Sequence, residues 1–594
     1  MDKRSDKTIK TITRKARVAR TSFDKNGRKI SKHARNFLGG RLDNLRMVRR
    51  GVIIWLTAVA VLTSFALIQI LFAWQSHQVM APADGGVYAE GVVDKISTLN
   101  PIFATTKNEI AGSSLMYSGM FSYDRDNKLA GNLVSTWSTK DGKTWDFKLR
   151  ENAFWSDGQK ISADDIVFTM NLIKNSAVGS PLYGIFAKDS VSKINDHEIK
   201  IELPTAYMSL PYTLTFGILP QHSLKDISPA SLRNVMNTDF SQNIVSGPFK
   251  YSSRENLANG QTIWKFSPNE KFSQNARISS LTIRTYESQN KLIDGLNSGE
   301  INAASAVRMS DAANLKADRK LTQETLNDGV FVIFNTNSSA VSDQSVREAL
   351  RLGADRETLR KSATTGELTS VDPLDSPIAN GVYDSVDALK QPDFNLMAAE
   401  EKLDNAGWKI NEKSRFREKD GKKLTINLVT IQDTDYARVA KELVSEWKKL
   451  GVDAQLTESD QSSANDSYLT PRNYDVLVYD LHLGADPDEF AYWSSTEATE
   501  KGLNFANYSN KRADLALNGG RQQFDETARK ARYVDFVKRW QQDVPAIALY
   551  QPKYYYITTG SANSVNNSPL VDSTARFRDV SEWTVNSQSV NTTP

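Results

Sequence analysis

Gly51 to Trp74 is an unbroken apolar run, GVIIWLTAVAVLTSFALIQILFAW, twenty-four residues without a charge. As a helix rising about 1.5 Å per residue it is about 36 Å long, enough to cross a hydrocarbon core of about 30 Å with some tilt. Soluble core helices rarely run this long without a polar face. Arg46, Arg49 and Arg50 precede the run and QSHQ follows it. The positive-inside bias therefore predicts a cytoplasmic segment at 1–50, a transmembrane helix at 51–74 and an extracytoplasmic body beyond. Trp55 and Trp74 lie near the two ends, where interfacial aromatics belong. The alternative is a cleaved signal peptide with Ala81 and Ala83 as a small-x-small site; the apolar run exceeds the usual about 7–15 residues of such peptides, and a long basic segment precedes it.

Charge divides at the same place. Residues 1–50 hold 17 Lys/Arg against 4 Asp/Glu, leaving 57 against 66 for the remainder. The basic segment mixes Ser, Thr, Asn and Gly with few apolar residues, so it is expected to be disordered or to lie along an anionic inner leaflet. The mildly acidic body excludes nucleic acid as its partner by charge. Cysteine is absent, which rules out disulfides, thiolate nucleophiles, cysteine metal sites and attachment of a lipid through an N-terminal cysteine.

Beyond a linker at 75–86, the body alternates period-2 strand patterns with amphipathic helices, an α/β arrangement. Thr144–Arg150 and Leu281–Tyr286 alternate as strands do, and Gly329–Asn335 is a continuous apolar run suited to a strand buried on both faces. Ser162 and Asp165 form a capping-box pattern ahead of a helix that carries Ile166, Met170 and Ile173 on one face. A helix within Asp433–Leu456 is stopped by Gly451 and followed by a strand. Asn473–Leu483 is a further strand delivering the polar loop GADPDEF. A helix from Arg529 to about Gln542 and the strand Ala546–Gln551 precede a Ser/Asn/Thr-rich tail that is expected to fray.

The run GNLVSTWSTKDGKTWDFKLRENAFWSDGQKISADDIVFTMNLI (Gly131–Ile173) resembles the signature region of the family 5 solute-binding proteins of ABC transporters, the oligopeptide, dipeptide and nickel receptors. Further similar stretches follow in family order. They are TLNPIF (98–103), SGPFKY (246–251), LIDGLNSGEINAA (292–304), VFVIFNT with VREALRLGADRETL (330–359), AEEKLDNAGW (399–408), ADPDEFAYWSS (485–495), GLNFANYSNKRAD (502–514) and ARKARYVDFVKRWQQDVPAIALY (528–550). The resemblance covers about residues 87–590. It implies a type II periplasmic-binding-protein-like, two-lobed architecture of three domains: domain I from 87–122, 246–329 and 553–594 (with the C-terminal tail), domain II at 123–245, and domain III at 330–552. It also implies an importer receptor that captures short peptides outside the cell by lobe closure and hands them to permease subunits.

Receptors similar to this one hold an extended peptide as an added strand and pair its free amine with a carboxylate. By that resemblance Asp486, in LGADPDEF, is the first candidate for the amine partner, with Asp488 and Asp480 next. Asp486 before Pro487 is also an ordinary turn former. The loop departs from the oligopeptide binders, which carry Trp beside the acid and Arg a few residues earlier; here Val478, Tyr479, Leu481 and His482 precede it. Tyr479 and His482 thereby join the candidate ligand-binding residues. Tyr183 falls where similar receptors reach from domain II to the ligand, and Asn335 ends the first strand of domain III. Either is equally a packing tyrosine or a strand-end turn residue. Trp137, Trp145, Trp155, Asp157 and Gly158 read as fold, a packed hairpin region.

No nucleophile elbow, HExxH, phosphate loop or dinucleotide fingerprint occurs, and the five histidines are scattered. Catalysis, cofactors and a resident metal are therefore not expected. A sensory or docking receptor of the same fold, or an importer receptor for nickel chelates or oligosaccharides, stands as the alternative function.

Overall fold

The computed structural model describes residues 45–76, 78–238, 244–308, 315–316, 318–364, 371–432, 434–564 and 570–591. The basic segment expected at 1–50 lies outside the described residues up to 44. The chain divides into two compact units, Met1–Ala81 with Gln588–Pro594, and Pro82–Ser587.

In the first unit, α1 (Leu45–Ser76) contains Gly51–Gln69, which has a mean hydropathy of 2.3 and exposed side chains. Among the described residues it is the helix long and apolar enough to cross a membrane. Thr63 Oγ1 donates to Val59 O at 2.9 Å and Thr57 Oγ1 to Ile53 O, so both hydroxyls are satisfied within the helix. Gln78–Ala83, within the linker expected at 75–86, form the strand β1, which runs across the boundary of the two units.

In the second unit the described residues build three larger sheets, of seven, six and four strands, beside a three-stranded and a two-stranded one. After β2 (Val87–Val93) and α2 (Lys107–Met116) come β3 (Val134–Thr139) and β4 (Thr144–Leu149), then α3 (Ala163–Lys174), β5 (Ser190–Asn195) and β6 (Glu198–Glu202). Strands β3-β4-β6-β5 form a four-stranded antiparallel sheet. The β3–β4 turn is closed by Asp141, whose Oδ1 accepts from Lys143 N and Thr144 N, each at 2.8 Å. Trp145 and Trp155 are buried beneath this region, and Ile166, Met170 and Ile173 of α3 are fully buried. Ser162 N–H donates to Asp165 Oδ2 at 2.9 Å, the N-terminal stop expected there.

The chain then supplies β7 (Phe249–Asn256), β8 (Thr262–Pro268), β9 (Ser280–Tyr286), α4 (Gln289–Ser298), β10 (Ala303–Ala304) and β11 (Arg319–Thr325). It crosses to β12 (Asp328–Phe334) and continues through β13 (Asp372–Pro373), β14 (Thr425–Ile431), α5 (Asp435–Lys449), β15 (Asp453–Ser459), β16 (Val476–His482), α6 (Lys511–Gln522), α7 (Glu526–Asp543) and β17 (Ala546–Gln551). It returns in β18 (Lys553–Thr559). Strands β11-β18-β10-β2-β9-β8-β7 make a seven-stranded mixed sheet, and β13-β17-β12-β16-β14-β15 a six-stranded one.

All seven residues of β12 are buried because helices cover both faces of the six-stranded sheet. Val330, Val332 and Phe334 share a core with Val439, Leu443 and Trp447 of α5; Phe331 and Ile333 share another with Tyr533, Phe536 and Trp540 of α7. Gly451 ends α5 at φ 82°, and a Cβ there would meet Ile410 Cδ1 at 2.4 Å, so glycine is required by conformation and by space.

The two large sheets are joined by two crossings that run side by side. Thr325 pairs with Lys553 on one sheet and Val330 with Tyr550 on the other, and between them Leu326 N–H donates to Pro552 O at 3.1 Å. Gln551 Nε2 donates to Leu326 O at 2.9 Å. The C-terminal segment, expected to fray, instead packs onto the seven-stranded sheet as far as its described side chains run. Trp583 is 2% exposed, and Arg576 Nε donates to Glu90 Oε1 at 2.9 Å in a fully buried pair. The polar composition concealed one buried arginine that a buried glutamate requires.

Candidate ligand-binding site

Strand β16 carries the site. Val476 and Val478 face the α5 core, and period-2 alternation places Asp480 and His482 on that same face farther along the strand. An apolar face thus becomes polar at the strand's C-terminal end. On one side β16 is paired along its whole length with β12, ending in His482 opposite Asp328. On the other side β14 pairs with it only from Val476 to Val478. The backbone of Tyr479–His482 therefore runs past its neighbour on that edge, with no described strand paired to it.

Beside this edge lies a pocket of about 260 Å³ lined by Lys107, Asp328, Tyr479, Asp480, Leu481, His482, Tyr492, Leu503 and Phe505. Tyr479 meets Phe505 edge-on at a ring separation of 5.8 Å, forming an aromatic wall. Asp328, 3% exposed at its side chain, uses both oxygens: Oδ1 is 2.7 Å from His482 Nδ1, and Oδ2 accepts from Lys107 Nζ at 3.4 Å. Burial opposes the Asp328 carboxylate, but the hydrogen bond from His482 and the charge of Lys107 outweigh it and hold its pKa below the ordinary carboxylate range. Burial likewise opposes charge on His482, yet Asp328 more than compensates and raises its pKa. Asp480 moves the other way: burial, reinforced by the negative charge of Asp328, pushes it up against the pull of Lys107 and a hydrogen bond from Tyr436. A nearby cation would relieve that strain.

The seven residues singled out from sequence do not converge. Tyr479, Asp480 and His482 line the pocket; Asp486, Asp488, Tyr183 and Asn335 do not. Asp486 is held by Arg529, whose Nη2 donates to both of its oxygens at 2.9 Å, and by Ser209 Oγ at 2.7 Å, with both charged side chains 9% exposed. Its charge is already matched. Asp488 forms an ion pair with Arg521 at 3.0 Å, and burial is the main cause that pushes its pKa up to about 6. Asn335 fastens a turn: Nδ2 donates to Arg472 O and Tyr474 O at 3.1 and 2.9 Å, while Oδ1 accepts from Asn507 Nδ2 at 2.9 Å. Tyr183 is 41% exposed at the start of a four-residue helix.

Lys107 and Asp328 were not anticipated. Each left a trace in the sequence: Asp328 is a charge at the head of an otherwise apolar strand, and Lys107 is a cation in the first turn of a helix, where anions are favoured.

The profile of the bacterial extracellular solute-binding proteins, family 5 Middle, matches residues 128–502. The chain belongs to this family. Among its relatives, the oligopeptide-binding protein AppA of Bacillus subtilis (strain 168) is 25% identical over 489 residues, covering 79% of this chain and 87% of the relative. The nickel-binding periplasmic protein of Escherichia coli (strain K12) is 24% identical over 480 residues, covering 77% and 87%. Campylobacter jejuni NikZ, solved in complex with Ni(L-His), superposes with a TM-score of 0.68 at 26% identity over 85% of this chain and all of that one. Bacillus subtilis AppA, solved with a nonapeptide, gives 0.67 at 22% identity with the same coverage and shares the fold. The α/β, periplasmic-binding-protein-like architecture is thereby established, and this family 5 protein is a solute receptor rather than an enzyme.

Proposed function

We propose that the protein is the receptor of an ABC importer that captures short peptides outside the cell and delivers them to membrane permease subunits. The observation that carries this reading is the backbone edge of Tyr479–His482, to which no described strand is paired, lying beside the buried carboxylates of Asp480 and Asp328. An extended peptide adds to such an edge through main-chain hydrogen bonds that are indifferent to sequence. Its ammonium then meets Asp480, the carboxylate whose ionisation a cation would favour. The volume is below the about 300–1,000 Å³ of a drug-sized pocket, so it suits one end of a peptide, with the rest running along the cleft. The relatives that bear the name oligopeptide-binding protein, and the related fold seen with a nonapeptide, support the same cargo.

On this reading the seven-, four- and six-stranded sheets are domains I, II and III, and the paired crossings at 325–328 and 551–553 are the hinge. The apolar helix at 51–69 serves as an uncleaved anchor with the binding body outside. N-terminal sequencing of the membrane-extracted protein tests this, since an end at about residue 84 would mean cleavage. A nickel chelate is the second reading, favoured by His482 in the pocket and by the Ni(L-His) complex of NikZ.

Calorimetric titration with a mixed library of short peptides decides the cargo. Saturable heat with free-amine peptides is expected, and heat only with metal chelates or sugars would exclude the peptide reading.

A further inference from the structure

We propose that Lys107 is a specificity-determining residue: its ammonium, set over Asp328 beside Asp480, is an internal competitor for the amino end of a ligand. The inference rests on the peptide reading above and concerns the same pocket.

Lys107 does nothing for the helix it opens. A cation in the first turn opposes the helix dipole, and the end of α2 is already served by Glu109, whose carboxylate accepts from Ser97 N at 3.0 Å, Thr105 N at 3.0 Å and Thr106 N at 3.2 Å. The lysine instead reaches Asp328, at the start of a strand in the other large sheet, so the pair spans from one sheet's helix to the other sheet. Three carboxylates, Asp328, Asp480 and Asp572, act on this one ammonium and raise its pKa against the effect of burial. It is the same chemical group as a peptide's amino end, held near the same acids.

Exposure makes the arrangement adjustable. The Lys107 side chain is 57% exposed although its partner Asp328 is 3% exposed, so the ammonium can swing into water and leave the buried carboxylate to another cation. Its positive charge nevertheless opposes a second cation at Asp480. Lys107 thus disfavours every ligand ammonium, and ligands without one escape that penalty.

The test uses the full-length protein in detergent, titrated calorimetrically with trialanine and with N-acetyl-trialanine, as wild type, Lys107→Gln and Lys107→Arg. Lys107→Gln should raise the affinity ratio of free to acetylated peptide by about three- to tenfold, and Lys107→Arg, which keeps the charge, should move it less. An unchanged or lowered ratio, or loss of both peptides, overturns the inference. A second arm needs no peptide: Lys107 depresses protonation of His482, so the His482 imidazole followed by NMR should titrate at higher pH in Lys107→Gln, and no change overturns the inference. If the wild type binds neither peptide, the peptide reading falls and takes this role with it, whereas binding with an unchanged ratio overturns the role of Lys107 alone.

Discussion

Asp480, Asp486 and Asp488 sit within nine residues of one another, and what faces each decides its chemistry. Asp480→Asn should weaken free-amine peptides by about tenfold or more and leave N-acetylated peptides nearly untouched, since a charge-assisted hydrogen bond contributes about 1.5–3 kcal/mol; calorimetry with the two peptide forms reads the difference. Arg529→Met should instead cost stability, because Asp486 would remain buried beside Ser209 without its cation. A loss of about 3–5 kcal/mol in denaturant unfolding is expected, with the preference for free over acetylated peptides kept. The partners of these acids explain what the sequence could reveal. Tyr479, Asp480 and His482 could be singled out together because they lie within four residues of one strand. Asp328 lies 154 residues from His482, and Lys107 lies 221 from Asp328, so only sheet pairing and lobe contact bring them together. Asp486 looked available in the sequence because Arg529, 43 residues later, was not visibly aimed at it.

At the scale of elements, periodicity was the dependable guide. Glycine and strand patterning located α5, its stop at Gly451, and β17 at Ala546–Gln551. The C-terminal segment was misjudged because a Ser/Asn/Thr-rich stretch hides its few packing residues. One consequence of helix packing can be measured directly. Glu446 on α5 is 6% exposed and accepts from Asp355 N at 2.9 Å; burial is the main cause that pushes its pKa up to about 7. A folded pKa above the unfolded value means the protonated form is favoured by folding. That contribution is complete below about pH 4.3, the unfolded value, and is lost as pH rises through about 7. Glu446→Gln stays neutral and keeps an acceptor for Asp355 N, so at pH 8 it should be more stable than wild type by about 1–3 kcal/mol, converging with it near pH 4. Denaturant midpoints across that range check this.

At the scale of the whole molecule, the chain passes between the two large sheets at two adjacent crossings, 325–328 and 551–553, the arrangement that the proposed hinge requires. Lys553 Nζ donates to Asp372 Oδ2 at 2.6 Å and to Thr325 Oγ1 at 2.7 Å beside those crossings, bonds that would lie at the pivot of the proposed hinge. Spin labels at exposed sites on the two large sheets should approach one another when peptide is added, as expected of hinge closure; pulsed dipolar spectroscopy would see no shift in a rigid receptor. An uncleaved anchor would keep such a hinge close to its permease. The most direct measurement is native mass spectrometry of the full-length protein extracted gently from membranes, with release and sequencing of whatever co-purifies. Short peptides with free amino ends are the expected cargo. A metal chelate or an oligosaccharide in their place would contradict the reading of the Tyr479–His482 edge as a peptide-binding strand.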